Sequence, residues 1–181
     1  MNSGNKGLIN HGNTCYLNSV VQCLTHVLFF HPLNKKITRD YDESKDQFDL
    51  VKNWLKVNKL MWDNTSNKSI NIMFFIKSFI EYVQHKNIYF QNFNQNDAEE
   101  FITILFEMIH ESMEKKCKKN TSKLIQDKEW YKSFKNSNSI IVENFYSQHC
   151  SKTKCTNCSN TIIKYEPYLI YQLSITNDTD T

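Results

Sequence analysis

Glycine and proline are scarce here, three of one and two of the other among 181 residues. Asn, Lys and Ile are plentiful instead, a compositional habit to which we attach no function. No apolar run is long enough to span a bilayer, and the N-terminus has no apolar signal region. No membrane partner is therefore expected, and cytoplasmic or nuclear residence is the default. An excess of one charge is also missing. The 22 Lys and Arg against 19 Asp and Glu give a net charge of +3, which makes no electrostatic case for nucleic acid. Six cysteines without a signal peptide argue against a disulfide framework and for a nucleophile and a metal pair.

What is present is enough for one core. The chain is 40% hydrophobic and 13% aromatic, which excludes wholesale disorder and suits a single domain. The stretch Gly7 to Leu24 is the one the rest is organised around. A loop with two glycines leads into Asn13-Thr14-Cys15. Leu17, Val20, Val21, Leu24, Val27 and Leu28 then follow at helical spacing. A helix from Cys15 to about Leu28 is expected, with Asn13 or Thr14 as its cap. Cys15 would sit in the first turn, where unpaired N–H groups and the helix dipole favour an anion such as a thiolate. That placement suits a nucleophile, although a cysteine at a helix start is more often a small buried residue.

Further along, His31-Pro32 should break the first helix. Asn34 to Gln47 reads as polar and irregular. Phe48 to Trp62 reads as a second helix through Val51, Trp54, Leu55, Met61 and Trp62. Residues 63–67 read as a loop. A third helix, capped by Ser69, carries Ile72, Ile76, Phe79, Ile80 and Val83. Asn96 followed by Glu99 fits a capping box for a long helix to about Lys118. Its buried face is Ala98, Phe101, Leu105, Met108 and Ile109, and the lysines of 115–119 would lie at its C-terminal end. From Ser139 the texture becomes β-like. Ile140 to Val142, Phe145 and Tyr146 suggest a strand, and Ile162 to Leu173 suggest one or two more. Between them lies Cys155-Thr156-Asn157-Cys158. A C-x-x-C turn puts two thiolates within reach of one zinc, but a structural zinc wants four ligands, so the pair is half a site or a reduced pair in a turn.

Three boxes carry a resemblance. Gly7, Leu8, Asn10, Gly12, Asn13, Thr14, Cys15, Tyr16, Asn18, Ser19, Gln22 and Leu24 match, in register, the cysteine box of the ubiquitin-specific proteases. Gln95 to Phe101 resembles their Q-Q-D-A-x-E-F box, with Asn96 in place of the second Gln. Phe145, the C-x-x-C, Glu166 and Leu173-Ser174-Ile175 resemble the entry to their zinc-binding fingers. The resemblance implies an α+β, papain-like cysteine protease fold: a helical thumb over about 1–135, then the start of a β-rich fingers and palm region over about 136–181. It implies a thiol-dependent deubiquitinase that cleaves the (iso)peptide bond after the C-terminal glycine of ubiquitin. Cys15 would be the nucleophile and Asn10 the oxyanion-hole donor, although Asn10 also reads as a turn residue. Gln95 and Asp97 would hold the basic tail of ubiquitin, although Asp97 also suits the helix dipole. Cys155 and Cys158 would contribute to structural zinc.

The resemblance covers the first half of the family's catalytic domain. No second C-x-x-C and no histidine box follow within these 181 residues. A thiol protease needs a base to deprotonate its cysteine and protonate the leaving amine. His11, His26, His31, His85, His110 and His149 are present, but none stands in the family's histidine context, so none is assigned. His149 and Cys150 are weak candidates to complete a local metal site. The expected function is therefore a deubiquitinase, truncated as read, with a catalytically silent ubiquitin- or partner-binding half-domain as the alternative. A structural zinc module with an incidental cysteine is a third reading that the boxes disfavour.

Overall fold

Seven α-helices and four strands occur among the described residues of the structure, a computed structural model that describes residues 4–30, 32–63, 68–88, 90, 95–117 and 122–173. His31, residues 64–67 of the expected loop, residues 91–94, Lys118, Lys119, Ser174 and Ile175 lie outside them. The order is α1 (Cys15–Phe30), α2 (Pro32–Asp40), a 3-10 turn (Glu43–Lys45), α3 (Leu50–Trp62), α4 (Met73–His85), α5 (Ala98–Met113), β1 (Lys115–Lys116), α6 (Ile125–Ser133), β2 (Ser137–Asn138), α7 (Ile140–Phe145), β3 (Ser147–Lys154) and β4 (Thr161–Tyr168). By its contacts the chain forms two units, Met1–Lys115 with Ser139–Val142, and Lys116–Asn138 with Glu143–Thr181.

The first unit holds the helical core. Leu17, Val21 and Leu24 bury one face of α1, whereas Val27, expected on the same stripe, is 61% exposed. Val51, Trp54 and Met61 of α3 and Phe75, Ile76, Phe79 and Val83 of α4 are all buried, as are Phe101, Leu105, Met108 and Ile109 of α5. Each such side chain contributes about 1.5–3 kcal/mol on burial. The rings meet edge-on or tilted, Trp54 on Phe75 at 5.8 Å and Phe79 on Phe101 at 4.9 Å between centroids. One buried-side polar tie, Asn53 Nδ2 to Ser78 Oγ at 2.7 Å, joins α3 to α4.

Several local expectations are overturned. The polar stretch after Pro32 is helical to Asp40, because Leu33 and Ile37, four apart, are both buried and proline suits the first helical position. The third helix begins at Met73 with Ile72 in the cap position, and the Asn71 side chain rather than Ser69 accepts the Met73 N–H, at 2.9 Å. Helix α5 stops at Met113, so Lys115 and Lys116 form a strand rather than a helix end. Ile140–Phe145 is a short helix, not a strand. There the Ser139 hydroxyl accepts the N–H groups of Ile141 and Val142 at 3.2 and 3.4 Å, and Ile140, Ile141 and Val142 are all buried. Three consecutive β-branched residues favour a strand locally, but the cap and the burial override that preference.

The second unit is smaller. Strands β3 and β4 form an antiparallel hairpin in which Ser147 faces Tyr168 and Lys154 faces Thr161. Trp130 of α6 meets Phe134, the residue that caps the end of α6, edge-on at 4.9 Å, Phe134 meets Tyr146 likewise at 5.0 Å, and Gln148 Nε2 donates to the Gln126 carbonyl at 2.8 Å.

Candidate active site around Cys15

Cys15 is the first residue of α1 and is exposed. The segment before it is fastened along its length. Gly7 C=O accepts from Ile70 N–H at 2.9 Å, and Ile9 N–H donates to Ile70 C=O at 3.0 Å. The buried Lys6 sends its Nζ to the Leu60 carbonyl at 2.9 Å, while Gln22 and Asn18 of α1 donate to the Lys6 and Ile9 carbonyls. His26 presses one ring nitrogen on Gly4 C=O at 2.9 Å and the other on Gln22 C=O at 2.7 Å. These bonds hold a strap of residues 4–9 against α1 and α3.

From the strap the chain turns at Gly12, whose φ of +100° strongly favours glycine. Thr14 organises this turn. Its hydroxyl accepts from His11 N–H at 3.1 Å and donates to Asn10 Oδ1 at 2.9 Å, and its own N–H donates to the same oxygen at 3.2 Å. A backbone N–H can only donate, so the atom facing it is the Asn10 oxygen, and the amide nitrogen is the group left for a ligand. The first helical bond of α1, Asn18 N–H to Thr14 C=O at 2.9 Å, starts immediately after.

The second box reaches the same place. Asp97, not Asn96, caps α5, its carboxylate accepting from Glu99 N–H at 2.7 Å. Asn96 instead donates from Nδ2 to the Tyr16 hydroxyl at 3.3 Å. Tyr16 is buried against Phe90 and Phe101, and burial pushes its phenol above the ordinary tyrosine range. Cys15 and Asp97 are thus chain neighbours of a bonded pair. Gln95 and Asp97 are exposed, and Glu99 and Glu100 add negative charge to the same helix start.

Among the described residues, histidines do not gather at Cys15. His85 stacks on Phe48, His110 bonds Ser139 at 2.8 Å, His149 packs on Tyr168 and Tyr171, and His26 serves the strap. His11 lies in the loop with its Nε2 buried and without a hydrogen-bond partner. A pocket of about 130 Å³ beside the 3-10 turn, α4 and α5 involves none of Cys15, Asn10, Gln95 or Asp97. Within its lining Lys86 and Tyr82 both donate to Glu111, at 2.7 and 2.9 Å.

Cys155 and Cys158 flank the turn of the β3–β4 hairpin, both exposed, and Cys155 N–H closes the turn on Asn160 C=O at 2.8 Å. The N–H groups of Cys158 and Asn157 point at the Cys155 sulfur and lower its thiol below the ordinary range, the condition a thiolate ligand needs. Among the described residues no group of three or more His, Cys, Asp or Glu converges on a metal position. His149 and Cys150 do not join the pair, because they lie back along β3, Cys150 opposite Tyr165.

The strap, the orientation of Asn10 and the Asn96–Tyr16 bond are not apparent from residue spacing. They join residues that periodicity does not relate.

Comparison with known proteins closes the case for the family. The model of the ubiquitin carboxyl-terminal hydrolase family matches residues 6–177. Ubiquitin carboxyl-terminal hydrolase 12 of Saccharomyces cerevisiae is 28% identical, over 98% of this chain and 16% of its own length. Usp2 of Drosophila melanogaster is 30% identical, over 90% of this chain and 18% of its own. Ubiquitin carboxyl-terminal hydrolase 2 of Bos taurus is 29% identical, over 96% of this chain and 30% of its own. The chain therefore spans between about a sixth and a third of the length of these relatives. A solved structure described as the SAGA DUB module, containing Ubp8 and bound to monoubiquitin, shares the fold at a TM-score of 0.59 and 21% identity, over 92% of this chain and 35% of that one. The fold is the α+β, papain-like one that the boxes imply, and with a cysteine box folded at a helix start and a family match across nearly its whole length, this chain belongs to the ubiquitin carboxyl-terminal hydrolases of the ubiquitin-specific protease type.

Proposed function

We propose that the chain carries the nucleophile half of a thiol-dependent deubiquitinase. Cys15 attacks the carbonyl carbon of the C-terminal glycine of ubiquitin. The carbonyl oxygen becomes an oxyanion that accepts from Asn10 Nδ2. The C–N bond then breaks, the amine leaves with a proton, and water releases ubiquitin from the acyl-enzyme. Gln95 and Asp97, with Glu99 and Glu100 behind them, receive the basic tail of ubiquitin. The observation that carries this reading is the Asn10 side chain, turned by Thr14 so that its donor remains for a ligand, five residues before an exposed Cys15. None of the described histidines is assigned as the base that deprotonates Cys15 and protonates the leaving amine.

The test is exposure to ubiquitin bearing a C-terminal electrophile, read by intact mass. One adduct on Cys15, absent from Cys15→Ser, is the expected result. Equal labelling of both would remove Cys15 from the role.

A second reading, consistent with no described histidine being assigned as the base, is a silent half-domain that binds ubiquitin or another protein without turning it over. Ubiquitin binding without any Cys15 adduct would select it. Under the first reading ubiquitin and ubiquitinated proteins are the partners, with neither nucleic acid nor membrane expected, and a reducing cytoplasm or nucleus suits six free thiols. Cys155 and Cys158 would supply two of the four ligands of a structural zinc. Loss of bound cobalt's thiolate absorption in Cys155→Ser/Cys158→Ser would support that assignment.

A further inference from the structure

Asn96 stands where the family's box has a second Gln, and spacing makes it a helix cap. In the structure that work belongs to Asp97. Asn96 reaches instead across 80 residues of sequence to the hydroxyl of Tyr16. Resting on the deubiquitinase reading, we infer that Asn96 is a positioning residue that locks the first turn of α1, and with it Cys15, to the segment that receives the substrate tail.

Three features support this. Tyr16 immediately follows Cys15, so the two share the first turn of α1. Its ring is 8% exposed and wedged against Phe101 and Phe90, each with centroids 5.9 Å away. The ring is thus fixed in the core, and the hydroxyl is the part that meets the Asn96 donor. Asn96 lies between Gln95 and Asp97, the two residues assigned to the substrate, and Asp97 is itself tied down as the cap of α5. A pull on Gln95 or Asp97 by a bound tail is therefore transmitted through one side chain to the residue beside the nucleophile. Burial keeps the phenol in its neutral O–H form, so the oxygen accepts from Asn96 while its proton stays available as a donor. Asn also orders fewer rotatable bonds than Gln would in making the same tie.

The test uses the 181-residue chain with Asn96→Ala, Asn96→Gln, Tyr16→Phe and the double variant Tyr16→Phe/Asn96→Ala. Two rates are read: alkylation of Cys15 by iodoacetamide, followed by peptide mass spectrometry, and modification by the ubiquitin electrophile, resolved into its binding constant and its maximal rate. Asn96→Ala and Tyr16→Phe should each slow both Cys15 rates about 3- to 10-fold, the scale of one hydrogen bond. The ubiquitin binding constant should stay within about twofold, since neither side chain is placed on the substrate. The double variant should be no slower than either single one, and Asn96→Gln should recover most of the rate. Full-rate alkylation in Asn96→Ala, or slowing that adds in the double variant, would overturn the inference. If the ubiquitin probe labels nothing, the deubiquitinase reading fails, and the iodoacetamide rates still decide the role of Asn96. Tyr16→Phe keeps the buried ring, so it decides the matter if Asn96→Ala does not fold.

Discussion

Thr14 grips the side-chain oxygen of Asn10 twice, through its backbone N–H and through its hydroxyl. That grip sets which end of the amide faces outward. A donor aimed in advance at a developing oxyanion is worth more than one that must rotate into place, because no reorganisation is needed as charge appears. Asn10→Asp keeps the oxygen for Thr14 and removes the outward donor. It should cut the maximal rate on a ubiquitin C-terminal amide by about 10²- to 10³-fold with little change in binding. Thr14→Val leaves only the backbone bond to hold Asn10, and should cost about tenfold by the same measurement.

Asp46 caps a helix it does not directly precede. Its carboxylate accepts from the N–H groups of Leu50 at 2.7 Å and Lys52 at 3.1 Å and from the Tyr41 hydroxyl at 2.9 Å, and it is 8% exposed. Asp46→Ala would leave the buried Leu50 N–H, and the part-buried Lys52 N–H and Tyr41 hydroxyl, without this acceptor. A loss of about 2–4 kcal/mol in urea unfolding is expected, and Asp46→Asn should lose about half as much. No change in the Ala variant would mean that water replaces the carboxylate without penalty.

Gly4 tests the strap. Its φ is +86°, and a Cβ there would meet the Trp62 ring at 2.6 Å. Trp62 is itself held by Nε1 on the Thr25 carbonyl at 3.2 Å and by the His26 ring at 5.2 Å, so the indole has little room to retreat. Gly4→Ala should destabilise by about 1–3 kcal/mol, with faster hydrogen exchange at the Ile9 and Ile70 amides that tie the strap down. Unchanged exchange at both amides would show that the strap is held independently of Gly4.

His110 gives the first unit an acid sensitivity. Burial pushes its imidazole below the ordinary histidine range, and Glu114, Glu111 and Glu107 pull weakly the other way. Burial dominates because the nearest of these pairings, Glu114 at 3.8 Å, involves a carboxylate 43% exposed to water. The folded state therefore takes up the proton at lower pH than the unfolded chain does. The contribution of His110 is complete above about pH 6.5, the unfolded value, and fades as pH falls through the folded one. His110→Gln should flatten the stability profile between about pH 7 and pH 5 relative to the parent. Parallel profiles would remove His110 as the cause.

Helical period 3.6 is visible in one dimension, and so is most of what it governs. The buried faces of α3, α4 and α5 follow from residues such as Val51 and Trp54, Ile76 and Phe79, and Leu105 and Ile109. The start of α1 at Cys15 is equally readable, and so is the turn that carries Cys155 and Cys158. Local propensity fails where burial outweighs it. Two apolar residues, Leu33 and Ile37, suffice to hold a polar stretch helical, and a capped, buried Ile140-Ile141-Val142 gives up the strand its side chains prefer.

The residues by themselves determined the chemistry on offer. They supply an exposed-type thiol at a helix start, an amide five positions before it, an acidic helix start and a C-x-x-C pair, because each is a matter of residue type and short spacing. Only the tertiary structure decided how these groups are aimed. Thr14 turns Asn10, Asp97 takes the cap of α5 while Asn96 reaches Tyr16, and the strap is tied against α1 and α3. The physical reason is that side-chain hydrogen bonds join whichever partners folding brings within about 3 Å, and separation along the chain sets no limit on that.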